Sequence, residues 1–357
     1  MTFLPEKVSL TDVAARAGVS IATASRVLNG TAMAAATTRA AVSQAAEDLG
    51  YVPDLRFRLM GKSRSRRPGN YRTGNIGVLL FQRSAAIFAT NSYYSRLFWS
   101  IERQAGDLGW HVILSTIRSD SDQYLPAFVK DFKVDGVLVA DQCPGGLLER
   151  IQRLVPVVLV NSTSPGIAAV MPDEDSGIKQ ALTYLRELGH RRIWYFDIHD
   201  AANFHHDIRT RAFANYTVEW VMPETRAVVL RGRDKSLAEI CLGHLRQWRD
   251  SGEMPTAILC GADVYAFAFL EAAEILGLSI PGDLSVMGAD DDFRGEYVRP
   301  KLSSIRQPLE EMGAAAVRML LDRIDKGSGA KATQTFEVSL VARGSCGAAP
   351  AERRTGK

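Results

Sequence analysis

The sequence predicts an α/β chain: a small N-terminal helix-turn-helix followed by two lobes built on parallel sheets. Three observations carry that prediction. From Ile76 onward, short apolar runs alternate with longer amphipathic ones: "IGVLLF", "YYSRLFWSIERQAGDLG", "WHVILST", "DGVLVA", "VPVVLV". Apolar strands that are each followed by a helix make βαβ units, and parallel strands need such crossovers. About ten strands of this kind occur, more than one open sheet commonly holds, so two lobes are expected. Residues 7–50 have a different texture, rich in alanine and helical in pattern.

The N-terminal elements follow in order. Leu10, Val13, Ala14 and Ala17 recur at i, i+3, i+4 and i+7 and form one helical face. Ser9 or Thr11 can cap that helix, and Gly18 ends it because glycine tolerates positive φ. Ser20 is a good N-cap for a second helix. There Ala24, Val27 and Leu28 point inward, while Ile21, Ala22, Ser25 and Arg26 point outward; Asn29-Gly30 closes it. Two short helices joined by a glycine-containing turn form a helix-turn-helix. Its outward face is small except for Arg26. Such a face can sit deep in a major groove, where one arginine can grip a guanine edge with two hydrogen bonds. A helical hairpin that only packs would share the pattern, but the basic stretch beyond it and its N-terminal position favour DNA.

Four segments result: residues 7–53 as the helix-turn-helix headpiece, 54–75 as a hinge and basic linker, 76–345 as the two-lobed body, and 346–357 as a disordered tail. Charge supports the division. The whole chain of 357 residues carries a net charge of +3. Residues 1–75 hold 11 Lys/Arg against 5 Asp/Glu, a net +6, so the remainder carries −3. A basic segment on a mildly acidic body suggests a polyanion partner. The four cysteines, Cys143, Cys241, Cys260 and Cys346, are scattered without a CxxC, which fits a reducing cytoplasm rather than a disulfide scaffold or zinc ribbon. The opening residues lack a signal-peptide pattern, and no apolar run approaches the roughly 20 residues of a membrane helix. A cytoplasmic protein that engages no membrane is expected.

Enzyme signals are missing: no nucleophile elbow, P-loop or zinc-hydrolase motif occurs. Asp290 and Asp291 could pass for a carboxylate pair, but neighbours on a strand point to opposite faces. His199, His205, His206 and Asp207 cluster in "DIHDAANFHHD", yet their spacing matches no standard metal site and they read as loop residues. No metal and no cofactor are expected.

"VSLTDVAARAGVSIATASRVLNG" and "TRAAVSQAAEDLGYVP" resemble the headpiece of the lactose-repressor family of bacterial transcription regulators. "LTYLRELGHRRIWYF", "PTAILCGADVYAFAFLEAAEILGLSIPGDLSVMGADD" and "RPKLSSIRQPLEEMGAAAVRMLLDRI" resemble that family's effector-binding body, so the likeness spans nearly the whole chain. The resemblance implies a homodimer that places two headpieces on a near-palindromic, double-stranded DNA operator and represses transcription. It implies base selection by Ile21 and Ala22, a base contact from Arg26, and backbone contacts from Ser20, Thr23, Ser25 and Asn29. Apolar Ile21 and Ala22 suit thymine methyl groups. A third helix over Ala35–Leu49 has Ala35 where the family carries a Ser or Thr cap, a weaker start by about 1 kcal/mol.

After Tyr51-Val52-Pro53 the family forms a hinge helix that wedges a leucine into the central minor-groove step. Here Arg58 matches, Phe57 replaces a small alanine, and Met60 stands at the wedge. The run Lys62–Arg67 reads as a tether that adds salt-sensitive phosphate contacts.

For the body, the resemblance implies a periplasmic-binding-protein-like pair of lobes with a small, sugar-like effector between them, at the carboxyl ends of strands. Tyr93, Tyr94, Asn161, Arg209 and Asp290 match effector positions, with Phe213 beside Arg209 in the same motif. Tyr93 and Tyr94 equally suit packing at a helix start, and Asn161 a turn. Ala262-Asp263 replaces a frequent Asn-Asp, and Asp263 reads as the cap of the helix after it. The rival reading is a solute-binding protein without a transcriptional role.

Overall fold

The computed structural model describes residues 9–28, 35–49, 51, 72–81, 92–117, 125–140, 142–199, 204–232, 235–326 and 332–350. The chain divides into two compact units, Met1–Tyr71 and Arg72–Lys357.

In the first unit, α1 (Leu10–Arg16), α2 (Ile21–Leu28) and α3 (Ala36–Asp48) surround a core of Val13, Ala14, Ala24, Val42, Ala45 and Ala46. Four of these six are alanines, so the helices can cross closely with little side chain between them. Ser9, not Thr11, caps α1. The Asp12 amide donates to Ser9 Oγ at 3.4 Å and the Ser9 amide donates to the Asp12 carboxylate at 2.8 Å, a reciprocal capping box. Gly18 turns the chain at φ +65°. Ser20 Oγ accepts from the Thr23 amide at 3.1 Å and starts α2. Ala35 makes no side-chain bond to α3.

The second unit holds two six-stranded sheets. Strands β1 (Asn75–Phe81), β2 (His111–Ile117), β3 (Gly136–Ala140), β4 (Val157–Val160) and β5 (Ala168–Pro172) build the first; β6 (Ile193–His199), β7 (Arg226–Arg231), β8 (Ala257–Cys260), β9 (Ser285–Ala289) and β10 (Ser303–Arg306) build the second. Two late strands complete them: β11 (Thr333–Phe336) pairs with β5, and β12 (Ser339–Val341) pairs antiparallel with β10. The orders are β11-β5-β4-β3-β1-β2 and β12-β10-β9-β8-β6-β7, and every pair except β10–β12 is parallel. The central strands are apolar without alternation because both faces are covered: β3, β4 and β9 are buried throughout. Alternate residues of β6 serve opposite cores, Trp194, Phe196 and Ile198 on one face and Ile193 and Tyr195 on the other.

The chain passes between the lobes three times: after β5, after β10, and between β11 and β12. The second passage places α11 (Leu309–Lys326) on the first sheet, against α4 (Ser92–Asp107). The two helices touch through Gly313, where a Cβ would lie 2.7 Å from Ser100 Oγ. Arg96 clamps Glu310 with two bonds of 3.1 Å beside that contact.

Two expected boundaries move. Thr73 and Gly74 donate backbone bonds to Asp135 at 2.7 and 2.9 Å, so the body begins before Ile76 and residues 72–75 are not linker. Residues 346–350 are not a free tail. The Val286 amide donates to the Ser345 carbonyl at 2.9 Å, the Gly347 amide to Ser285 Oγ at 3.1 Å, and the Ala349 amide to the Leu188 carbonyl at 2.8 Å. Cys346 is buried in the core under these bonds. Small, polar composition suggested disorder, but here it lets the segment lie flat on the second lobe. Residues 351–357 lie outside the described set.

Candidate functional sites

The first site is the outward face of α2. Ala24 is fully buried, while Ile21 is 49% exposed and Ala22 and Arg26 are exposed beside it. Ser25 and Thr23 are half-buried at its margin. This is the division that the helical spacing predicts. Arg26 Nε donates to the Ala22 carbonyl at 3.1 Å, which lays the guanidinium along the helix surface. Ser20 Oγ and Thr23 Oγ1 are 2.9 Å apart at the helix start. Asn29, Arg58 and Met60, with Phe57 and the run Lys62–Arg67, lie outside the described residues.

The second site lies where strands end. In each sheet the strand order reverses at one point, between β1 and β3 and between β6 and β8, and an open sheet binds ligands at the carboxyl end of such a point. The two sets of carboxyl ends meet: the Ser92 amide, at the start of α4, donates to Asp292 Oδ2 in the loop after β9 at 3.2 Å.

Two sequence-predicted residues hold left-handed backbone here. Asn161 follows β4 at φ +64° and Asp290 follows β9 at φ +107°. Such conformations cost about 1–3 kcal/mol in residues other than glycine and cluster at functional sites. Asn161 is 5% exposed, and its Oδ1 has no hydrogen-bond partner among the described residues.

Arg209 stands on α8 (Phe204–Glu219) and is buried. Its Nε and Nη2 grip Glu174 at 2.6 and 2.9 Å, Nη2 also reaches Asp290 Oδ1 at 3.5 Å, and Nη1 donates to the Gly261 carbonyl. Burial opposes its charge, but Glu174 and Asp290 outweigh that and hold the guanidinium well above its usual pKa. Gln307 Nε2 donates to Asp290 Oδ1 at 3.0 Å. The structure thus joins Arg209, Asp290, Glu174 and Gln307. Sequence reasoning found the first two. Glu174 opens α7 (Glu174–Glu187) within "PDEDSG", a run that suits a helix start; its signal was the need of a buried Arg209 for an acid.

Tyr93 is buried in the first-lobe core, with Tyr94 edge-on to it at 5.0 Å between ring centroids. Phe213 stacks on Tyr195 at 5.2 Å behind Arg209.

Asp263 does not cap its helix. It opens α10 (Asp263–Ile275), whose N-cap is Ala262 without a side-chain bond. Its carboxyl group turns inward instead, accepting from Ser304 Oγ at 2.7 Å and from the Asp292 amide at 2.6 Å. The buried loop amide needs an acceptor, and Asp263 supplies it. Burial, then nearby Asp290, pushes its pKa well up. Asp290 and Asp291 follow β9 rather than lie on it, and they do diverge: Asp291 meets Arg306 at 2.6 Å and Arg343 at 2.8 Å.

The described histidines of that run belong to two elements, not to a loop. His199 closes β6, and His205 and His206 stand in the first turn of α8. Among the described residues, no group of three or more His, Cys, Asp or Glu could hold a metal ion, and no helix is long and apolar enough to cross a membrane.

Residues 9–54 match the model of the bacterial regulatory proteins of the lacI family, and residues 182–346 match a periplasmic binding protein-like domain. The HTH-type transcriptional regulator reg1 of Streptomyces lividans is 32% identical over 360 residues, covering 96% of this chain and 98% of that one. This chain belongs to the lacI family. It is a DNA-binding transcriptional regulator. As a lacI-family chain it also resembles solved structures throughout. A complex of the transcriptional regulator CelR with cellobiose gives a TM-score of 0.66 at 25% identity, covering 95% of this chain and 99% of that one. The Lac repressor dimer bound to operator and the anti-inducer ONPF gives 0.70 at 23% identity, covering 96% and 100%. The domain match ending at Cys346 takes in part of the ordered chain end described above.

Proposed function

We propose that this regulator acts in the cytoplasm as a repressor. As a homodimer it sets two α2 helices into successive major grooves of a near-palindromic operator, and a small sugar-like effector between the lobes alters its affinity for that DNA. Ile21 and Ala22 select bases by apolar contact, Arg26 holds a base edge, and Ser20, Thr23, Ser25 and Asn29 fix the backbone. Arg58 and Met60 serve the hinge, with Met60 as the wedge.

The observation that carries the reading is the contrast in exposure between the two sites. The α2 face offers Ile21, Ala22 and Arg26 to solvent, while Asn161, Asp290 and Gln307 stand buried at strand ends. In the cleft Arg209 acts as a positioning residue that fixes Asp290 and Glu174; Asp290 and Asn161 meet the effector, with Tyr93 and Tyr94 shaping the wall. The protein carries out no turnover. Effector binding and operator binding are linked reciprocally.

Selection of sites from random duplex DNA by the full chain, at one stated near-physiological salt, tests this. A palindrome with two half-sites is the expected outcome. Binding that fades steeply with salt and selects no motif would leave only the basic segment holding DNA. A protein that binds a small solute and is not retained on DNA would be a solute-binding protein instead.

A further inference from the structure

The three passages between the lobes are tied to one another, as the strands of a hinge are. The Asp173 amide donates to the Phe336 carbonyl at 2.8 Å, and a Cβ on Gly177 would lie 3.1 Å from Val338 and 3.2 Å from Ile305. Gln180 holds the chain there with both ends of its amide, donating to the Val338 carbonyl at 3.0 Å and accepting from the Leu340 amide at 3.1 Å. A hinge of this kind lets lobes part unless a contact outside it holds them together. The bond between Ser92 and Asp292 is such a contact. It belongs to none of the passages: Ser92 opens α4 on the first lobe, and Asp292 lies in the loop after β9 on the second.

Asp292 is buried and is set in place by its own lobe. Arg294 donates Nε to its Oδ1 at 2.8 Å and Nη2 to its Oδ2 at 2.9 Å, and lies over the Phe267 ring at 5.1 Å from the centroid. The Asp292 amide is held by the Asp263 carboxyl group at 2.6 Å. The carboxylate is thus preset, with Oδ2 left to take the Ser92 amide. It is charged at neutral pH: burial raises its pKa, but the bonds from Arg294 and the Ser92 amide outweigh that and hold it below the ordinary carboxylate range. On the facing side, the amide it takes is one of the first of a 16-residue helix, and such amides have no acceptor within the helix. The positive end of that helix adds to the attraction.

We propose that Asp292 is an inter-lobe latch: its carboxylate, docked on the first amide of α4, holds the strand ends of the two lobes together before any effector arrives. Asn161 on the first lobe and Asp290 on the second are already buried in this arrangement. A hydrogen bond to a charged group is strong enough to shift a two-state equilibrium by about tenfold or more. Where the cleft takes an effector as proposed above, the latch sets the resting balance that the effector has to shift.

Ser92→Pro removes the donor directly, since proline suits the first position of a helix but has no amide proton. Ser92→Ala is the control: it keeps that amide and deletes only Oγ, which has no hydrogen-bond partner among the described residues. Amide hydrogen exchange is followed by mass spectrometry on the full chain, dialysed against buffer without sugars or other small solutes. Loop amides shielded between the lobes exchange from the opened form. In Ser92→Pro, exchange should rise by about tenfold at the strand ends of both lobes, residues 161–166 and 290–296, while Ser92→Ala matches the wild type. Asp292→Ala removes the same bond from the other side. It should raise exchange at residues 161–166, and combining it with Ser92→Pro should add nothing further there, because the two changes share one contact. If Ser92→Pro fails to fold, Asp292→Ala decides alone at residues 161–166. A rise confined to the first turn of α4, additive effects of the two variants, or wild-type exchange at residues 161–166 in Asp292→Ala each overturn the latch. Operator affinity, measured on the same proteins, separates the latch from the regulatory reading. Raised exchange in both lobes with unchanged operator affinity keeps the latch and overturns the linkage between the lobes and the operator.

Discussion

In the headpiece the side chains that would meet a partner stand outside the core; in the body they stand inside it. Ile21 and Arg26 are exposed over a core made mostly of alanine, whereas Arg209, Glu174, Asp290 and Asn161 are each 8% exposed or less. The difference has an energetic meaning. An outward side chain can change with little effect on folding, because little of it is packed into the core. An inward ionised group is held only by its partners, so the site and the stability of the lobe are one network.

Removing Arg209 should therefore produce the largest effect. Arg209→Met leaves Glu174 and Asp290 buried without their cation, and breaking a buried pair this way costs about 3–5 kcal/mol. Urea unfolding of the full chain measures it. Arg209→Lys should recover little, because one ammonium cannot reproduce the two-bond grip on Glu174. Adding Glu174→Leu to Arg209→Met should restore part of the loss, since the uncompensated charge is then gone. If Arg209→Met unfolds like the wild type, the claim that this site bears on stability is wrong.

Arg26→Ala is the matching change in the headpiece, and its two readouts should separate. Stability should move by no more than about 0.5 kcal/mol, as for most exposed positions. Base discrimination should fall by about 1–3 kcal/mol at one operator position, as loss of a two-bond base contact does. Competition between the selected operator and single-base variants would show this. A uniform loss of affinity at every sequence would instead make Arg26 a phosphate contact.

The same contrast explains what could be read from the amino acids alone. Much of the headpiece was legible: spacing separated Ala24 from Ile21, Ala22 and Arg26, Gly18 marked the turn, and Ala35 marked an uncapped start, while the cap of α1 stayed open between Ser9 and Thr11 and Ser25 is half-buried rather than outward. Helices are local, and an exposed face is simply the complement of the buried one. The strands were legible because parallel sheets bury both faces. The three passages between lobes were not, since β11 and β12 are only a few residues each and their partners lie far away in sequence. Glu174 and Gln307 escaped for a related reason. Each is an ordinary polar residue until a distant Arg209 or Asp290 gives it a role. Asp263 misled because its position next to a helix start suits a cap, whereas a loop amide elsewhere claimed its carboxyl group. The chain end misled because composition does not report tertiary hydrogen bonds.

Acidification should sharpen the comparison further, because all six histidines follow residue 110 and none lies in the headpiece. His190 is fully buried, with Nδ1 3.0 Å from Thr256 Oγ1 and Nε2 3.0 Å from the Gly347 carbonyl. Burial lowers its pKa below 6.5, and the bond to Gly347 only partly opposes this. The unfolded chain then binds a proton at a higher pH than the folded one. The contribution is fully present above 6.5 and is lost as pH falls from there through the folded value. Thermal unfolding of the body should move to lower temperature over that window. His190→Gln should flatten the slope without abolishing it, since burial lowers the pKa of His244 as well. No slope difference between the two proteins would mean that His190 titrates as an ordinary exposed imidazole.

The smallest effect belongs to Ala35→Ser, and it tests whether the headpiece is as local as its pattern implies. Ala35 has φ −53° and ψ 147°, outside the helical region, and accepts the Arg39 amide at 3.0 Å through its carbonyl, as an N-cap residue should. Only the side-chain acceptor is missing. A serine there can take the amide of Thr38 without moving the backbone, a gain of about 0.5–1 kcal/mol. Amide hydrogen exchange on the full chain should show slower exchange in the first turn of α3 and little change at Arg209, Gly261 or Asp290. The added bond joins two neighbours on one helix start, so nothing in the body should register it. A change that spread into the body would mean that the headpiece core of small residues transmits strain, and the separation between an outward site that folds locally and an inward site that folds with its lobe would fail.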